Sequence, residues 1–98
     1  MTKYIIPIDA LPSQSFDIDL NNRRCRFEFI TKGVFLYMNL SIDEVEKING
    51  MICLNNVNLI QYQDIGLDGK IYFSDTQGDV IPLYYGLGDR WVLFFEDE

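Results

Sequence analysis

At 98 residues the chain has room for one domain, and 48% apolar with 14% aromatic residues is ample for a packed core. Its 8 basic residues face 15 acidic ones, a net charge of -7, which argues against nucleic acid as a direct ligand because neutralising phosphates needs clustered Lys and Arg. There is no histidine, so the commonest general base and metal ligand is missing, and Ser-His or Cys-His nucleophile activation cannot be assembled within the chain. No run approaches the roughly 20 apolar residues of a membrane helix. The opening Met1-Thr2-Lys3-Tyr4-Ile5-Ile6-Pro7 is too short an apolar stretch for a signal peptide. A soluble protein made in a cytoplasm is expected.

In chain order, Phe16, Ile18 and Leu20 alternate with Asp17 and Asp19, the period of a half-buried strand. Asn21-Asn22 tolerates the positive φ of a tight hairpin turn. Cys25, Phe27 and Phe29 then take one face and Arg24, Arg26 and Glu28 the other. Lys32-Gly33 is the next turn. Val34 to Ile42 continues the meander with Leu36, Met38, Leu40 and Ile42 on one face, and Phe35 and Tyr37 on the other suggest that both sides are covered. Ser41 to Ile48 has the letters of a capped helix, with Ser41 and Glu44 as a capping box, but a hairpin connection ending at Asn49-Gly50 is preferred. Met51 to Leu54 and Val57 to Tyr62 read as strands separated by an Asn55-Asn56 turn. Asp68-Gly69 marks a hairpin into Lys70 to Ser74. Asp75 to Gly88 reads as loop, and Arg90 to Phe95 as a closing strand whose Glu96-Asp97-Glu98 end stays in water. Six to eight short strands predict a single all-β domain, an antiparallel β-sandwich or partly open barrel spanning residues 1–98.

Candidate chemistry is sparse. Asp64-Ile65-Gly66-Leu67-Asp68-Gly69, followed by Asp75, has the outline of a calcium loop, but Gly66 occupies a ligand position and Asp75 replaces the longer Glu. A glycine-bearing turn is the preferred reading, with no metal and no cofactor. The carboxylate pairs Asp17/Asp19, Asp43/Glu44 and Asp75/Asp79 could in principle serve a hydrolase, yet so small a chain rarely builds the cleft they need. Gly86-Leu87-Gly88 lacks the spacing and Lys-Ser/Thr ending of a phosphate loop. No catalytic residue is assigned, and an enzyme is not expected. Cys25 and Cys53 could pair, but the alternation of Cys25 with Phe27 and Phe29 favours a reduced, core-filling thiol.

What remains are docking residues. Arg23, Arg24 and Arg26 form the single basic cluster, a solvated strand face or a patch for an acidic partner. Tyr62, Tyr84, Tyr85 and Trp91 sit in or beside the loop-rich second half, and Tyr and Trp are enriched at protein interfaces. The partner-contact set is therefore Arg23, Arg24, Arg26, Tyr84 and Tyr85, with Asp89 and Arg90 beside them.

The order of small motifs adds a further line. Leu11-Pro12-Ser13-Gln14-Ser15-Phe16 is followed by Arg24-Cys25-Arg26-Phe27, Asn58-Leu59-Ile60, Gly66 through Tyr72 and Asp75 to Gly78. The chain closes with Gly86-Leu87-Gly88-Asp89-Arg90-Trp91-Val92-Leu93. Together these resemble the baseplate plug family of contractile-tailed phages, short tail proteins that include the plug of a minimal cyanophage. The resemblance implies a β-folded virion component without catalytic residues, made in the host bacterial cytoplasm and built into the tail baseplate. Its implied partners are other baseplate, hub and tail-tube proteins; charge and hydropathy separately argue against nucleic acid and membrane contact, and three or six symmetric copies in the particle are expected. The alternative is a small acidic inhibitor or immunity-type protein that binds a basic partner.

Overall fold

The structure, a computed structural model, describes residues 3–60, 67 and 69–97. Among the described residues seven strands follow one another: β1 (Lys3–Ile6), β2 (Ser13–Leu20), β3 (Arg23–Lys32), β4 (Phe35–Ile42), β5 (Val45–Ile52), β6 (Gly69–Asp75) and β7 (Trp91–Asp97). β2 to β5 form a four-stranded antiparallel meander, and β1-β7-β6 form a second, three-stranded antiparallel sheet. The expected all-β sandwich architecture is therefore present.

Local chemistry sets the meander. Asn21 and Asn22 both adopt left-handed φ values, 50° and 62°, as a two-residue loop with the twist of its flanking strands requires. Period-two patterning then drives Cys25, Phe27 and Phe29 of β3 and Leu36, Met38, Leu40 and Ile42 of β4 onto one buried face. Ile71 and Phe73 of β6 and Trp91, Leu93 and Phe95 of β7 supply the opposing face. Phe27 and Phe29 stack within the meander, and the edge of Phe29 meets Phe73 of the other sheet at 5.7 Å between ring centroids. The core is thus an aromatic layer shared by both sheets.

Several expectations change. The hairpin after β4 turns at Asp43-Glu44, with φ of 51° and 70°, so β5 begins at Val45 and runs through Asn49-Gly50. The Asn49-Gly50 dipeptide is a bulge instead of a turn. The register slips between Met38 and Leu40, Gly50 takes φ 71°, and its N–H donates to Asn39 Oδ1 at 2.6 Å. The capping-box helix does not form. Val57 to Ile60 is not a strand, and Tyr62 lies outside the described residues. The outer face of β4 is not covered: Phe35 is 40% exposed and Tyr37 half-buried, with Lys32 Nζ above its ring. β1 was not expected at all, and Phe16 and Ile18 are only partly buried because β2 is an edge strand. Glu96 and Asp97 belong to β7, where Glu96 accepts a hydrogen bond from the Tyr72 hydroxyl, and Glu98 lies outside the described residues.

Phe29 is fully buried and touches Phe16, Phe27 and Phe73, so its truncation opens a cavity between the sheets. Phe29→Ala is expected to cost about 3–5 kcal/mol in a chemical-denaturation experiment, whereas an exposed control such as Val34→Ala should stay within about 0.5 kcal/mol.

Candidate functional site

The long connection from β6 to β7 is organised around one carboxylate. The Asp75 side chain is fully buried and accepts four hydrogen bonds. Arg90 Nε and Nη2 donate to its two oxygens at 2.8 and 2.9 Å, and the Gln77 and Val80 N–H groups donate at 2.9 and 3.0 Å. The forked Arg90 bond, reinforced by the two N–H groups, holds the Asp75 carboxyl far below the usual carboxylate range even though its burial acts in the opposite direction. Arg90 lies over the Trp91 ring at 4.6 Å, and the Trp91 indole donates to Val80 O at 3.0 Å. Thr76 bonds Arg90 O through both its N–H and its hydroxyl. A segment that reads as loop is therefore tied at both ends.

Two glycines let the loop fold back. A Cβ at Gly86 would strike the Trp91 ring, and Gly88 adopts φ 84° where a Cβ would strike Ile8 O. Between them and the Asp75 centre, Tyr84–Gly86 forms one turn of 3-10 helix. Tyr84 and Tyr85 meet edge to face at 5.8 Å, and Tyr85 meets the buried Trp91 ring at 6.2 Å. Tyr85 nevertheless remains 67% exposed. Tyr84, Tyr85, Pro82 and Leu83 form one wall of an apolar groove of about 160 Å³, and Thr31, Gly33, Val34 and Leu36 from the β3–β4 hairpin form the other. The Thr31 hydroxyl is buried in that wall without a hydrogen-bond partner among the described residues. Val34 in the groove wall is itself exposed, and Phe35 and Val80 are exposed as well.

The arginine cluster lies elsewhere, with Arg24 and Arg26 on the outer face of the meander and Arg23 beside the β2–β3 turn, opposite Leu20. Arg26 Nε donates to Asp17 Oδ1 at 2.8 Å, Arg24 Nη2 reaches Asp17 Oδ2 at 3.4 Å, and Arg23 Nη1 donates to Asp43 Oδ2 at 2.8 Å. Hydrogen bonding to Arg26 lowers the Asp17 pKa, and bonding to Arg23 and to the Arg24 N–H lowers that of Asp43. All three arginines are well exposed, so these pairs contribute little stability. Asp17, Arg24, Arg26, Ser41 and Glu44 line an open polar depression of about 430 Å³.

The expected contact residues thus fall in two separate places. Tyr84, Tyr85, Asp89 and Arg90 share the β6–β7 loop, and Arg23, Arg24 and Arg26 share the start of β3, with Arg24 and Arg26 on its outer face. Asp89 is exposed, but the Arg90 guanidinium is spent on Asp75. Trp91 is fully buried and not an exposed aromatic; it is the wall on which the loop rests. Asp64, Ile65, Gly66 and Asp68 of the calcium-like string lie outside the described residues, and its last member, Asp75, is engaged by Arg90. Cys25 and Cys53 are both free and buried; burial pushes the Cys25 thiol up to about 11 and that of Cys53 higher still, so both stay protonated. Sequence reasoning missed the Thr31–Val34 wall of the groove. The one available signal was the apolar Val34 directly after the turn glycine.

Fold and surface together define a small two-sheet β module that presents a braced aromatic loop. Residues 3–98 match the model of the family described as the cyanophage baseplate Pam3 plug gp18, and the chain belongs to that family of phage-tail baseplate plugs. No curated protein matches the chain.

Two measurements probe the brace. Because Asp75 has a depressed folded-state pKa, its contribution is fully present above its unfolded value of about 4 and is lost as pH falls through the folded value. Asp75→Asn should accordingly lower the melting temperature at pH 7 and flatten its decline below about pH 4, as read in a thermal melt series. Separately, Gly86→Ala should cost about 1–3 kcal/mol by overpacking against Trp91 and shift the Trp91 fluorescence, with Gly78→Ala as a comparison whose Cβ meets only ordinary van der Waals contacts.

Proposed function

We propose that this chain is a non-enzymatic plug of the baseplate at the end of the tail tube. In this reading it docks hub and tube proteins through the β6–β7 loop and, secondarily, through the Arg23–Arg26 face. The observation that carries this reading is the pairing of exposure with rigidity at Tyr84 and Tyr85. Both rings are open to solvent, yet the loop beneath them is fixed by Asp75, Arg90 and Trp91. A side chain already held in place loses little freedom on docking, which is the condition for an aromatic anchor. The apolar groove beside them offers a partner side chain a place to insert, where a polar group could also meet the Thr31 hydroxyl. On the β3 face the arginines are paired within the chain, but the pairs are exposed and can be exchanged for carboxylates of a neighbour. Three or six copies around the tube axis would let a single loop serve a ring of contacts.

The test replaces Tyr84 and Tyr85 together with Ser. Both rings are exposed, so the isolated domain should keep its strand-type circular dichroism and lose no more than about 1 kcal/mol. Particles produced with the double variant should lack the protein or fail to complete their baseplates. Normal particles at normal yield would overturn the assignment of this loop as the docking surface.

A further inference from the structure

The two open sides of the sandwich are treated differently. At β6 the chain covers its own edge. There the segment after β5 lies along β6: Asn56 and Leu59 N–H donate to Phe73 O and Ile71 O at 2.8 and 2.7 Å. The Asn55 and Asn58 side chains accept from the Asp75 and Ile71 N–H groups, so outward groups of Ile71, Phe73 and Asp75 along β6 are engaged. On the opposite side β1 and β2 are both terminal strands of their sheets and are not paired with each other. At one end of that seam Gln14 Oε1 accepts from Asp9 N–H and Gln14 Nε2 donates to Asp9 O. At its other end Tyr4 of β1 and Asp19, Leu20, Asn21 and Asn22 surround an open cavity of about 360 Å³.

The direction of the β2 backbone follows from its hairpin. Leu20 and Arg23 flank a two-residue loop and form a hydrogen-bonded pair, and bonding alternates along the strand from there. The bond from Thr31 N–H to Pro12 O obeys the same parity. Gln14, Phe16 and Ile18 therefore bond β3, and Ser15, Asp17 and Asp19 turn their N–H and C=O groups into the seam. The apolar side of the seam is incomplete as well: Phe16 and Ile18 are partly buried and Tyr4 is 45% exposed, although all three lie toward the core. Asp19 has no ion-pair partner among the described residues, since Arg24, opposite it, reaches Asp17 instead.

We propose that the β1–β2 seam receives an extended strand from a neighbouring baseplate protein, one that alternates apolar and basic side chains. Its backbone pairs with the outward groups of β2, its apolar residues complete the burial of Tyr4, Phe16 and Ile18, and a basic residue meets Asp19. The basic class follows from the unpaired Asp19 carboxylate and from the net charge of -7. This inference rests on the baseplate reading above and names the mode of docking.

The test uses the phage particle and the full chain. Hydrogen exchange is measured on β2 in the isolated protein and in assembled baseplates. The amides of Ser15, Asp17 and Asp19 should slow by at least about tenfold on assembly, and unchanged exchange would overturn the proposal. Asp19→Pro removes one seam-facing N–H and no ladder bond, so it should fold and fail to be incorporated. Asp19→Asn keeps the N–H and should be incorporated less tightly, with particles losing the protein at lower salt than the parent. Normal incorporation of Asp19→Pro overturns strand docking and leaves the plug reading standing, whereas absence of the parent protein from baseplates overturns the plug reading itself. If Asp19→Pro does not fold, the exchange measurement on the parent decides alone.

Discussion

A buried carboxylate with four donors cannot be moved cheaply. Each lost bond would strand either the charge of Asp75 or the guanidinium of Arg90 in a site built for both. This single constraint fixes the start of β7 opposite the end of β6, since Asp75 and Trp91 are also cross-strand neighbours. It therefore closes the β6–β7 hairpin and clamps the fifteen-residue connection 76–90 at its base. Connections of that length without regular structure of their own are uncommon in small domains and tend to carry function. Here the clamp, the two glycines and the Trp91 wall convert a long connection into a surface of defined shape.

How far the letters reveal this depends on the range of the interactions involved. The β2–β3–β4 meander is legible because its signals are local: period-two alternation through Phe27 and Phe29, and Asn21-Asn22 at a turn that needs positive φ. Asn49-Gly50 carries the same local signal and is misleading. The Asp43-Glu44 turn six residues earlier already reverses the chain, and the glycine's positive φ is consumed by a bulge opposite Asn39. Val57–Ile60 has strand-like letters, but its backbone groups are spent covering the edge of β6 through side-chain as well as main-chain bonds, so no ladder forms. β1 is four residues long and gains its strand character only by pairing with β7, ninety residues away in sequence.

The same difference in range separates the two readings of Arg90. Beside Asp89 and near two tyrosines, it reads as a surface charge available to a partner. Its actual carboxylate is fifteen residues upstream, and only the strand pairing of β6 with β7 brings the two together. The closing motif from Gly86 to Trp91 is in this light an architectural unit. Gly86 makes room for the Trp91 ring, Gly88 passes under Ile8 O, and Arg90 reaches Asp75. The two tyrosines that precede it are what the unit displays.

The surface chemistry then divides by location. On the outer face of the meander Asp17 is matched by Arg24 and Arg26, while Asp19, Glu28, Glu44 and Glu46 have no ion-pair partner among the described residues and carry the negative field there. The loop end is apolar and rigid, and the proposed seam is polar along its backbone and apolar at its floor. These are different modes of recognition: the first rewards shape and desolvation, the second rewards backbone pairing, which is tolerant of side-chain identity. The proposed docking to more than one baseplate protein draws on both. Rigid anchoring at the loop can set its position, while strand addition along β2 lets a neighbour close the sandwich without altering its core.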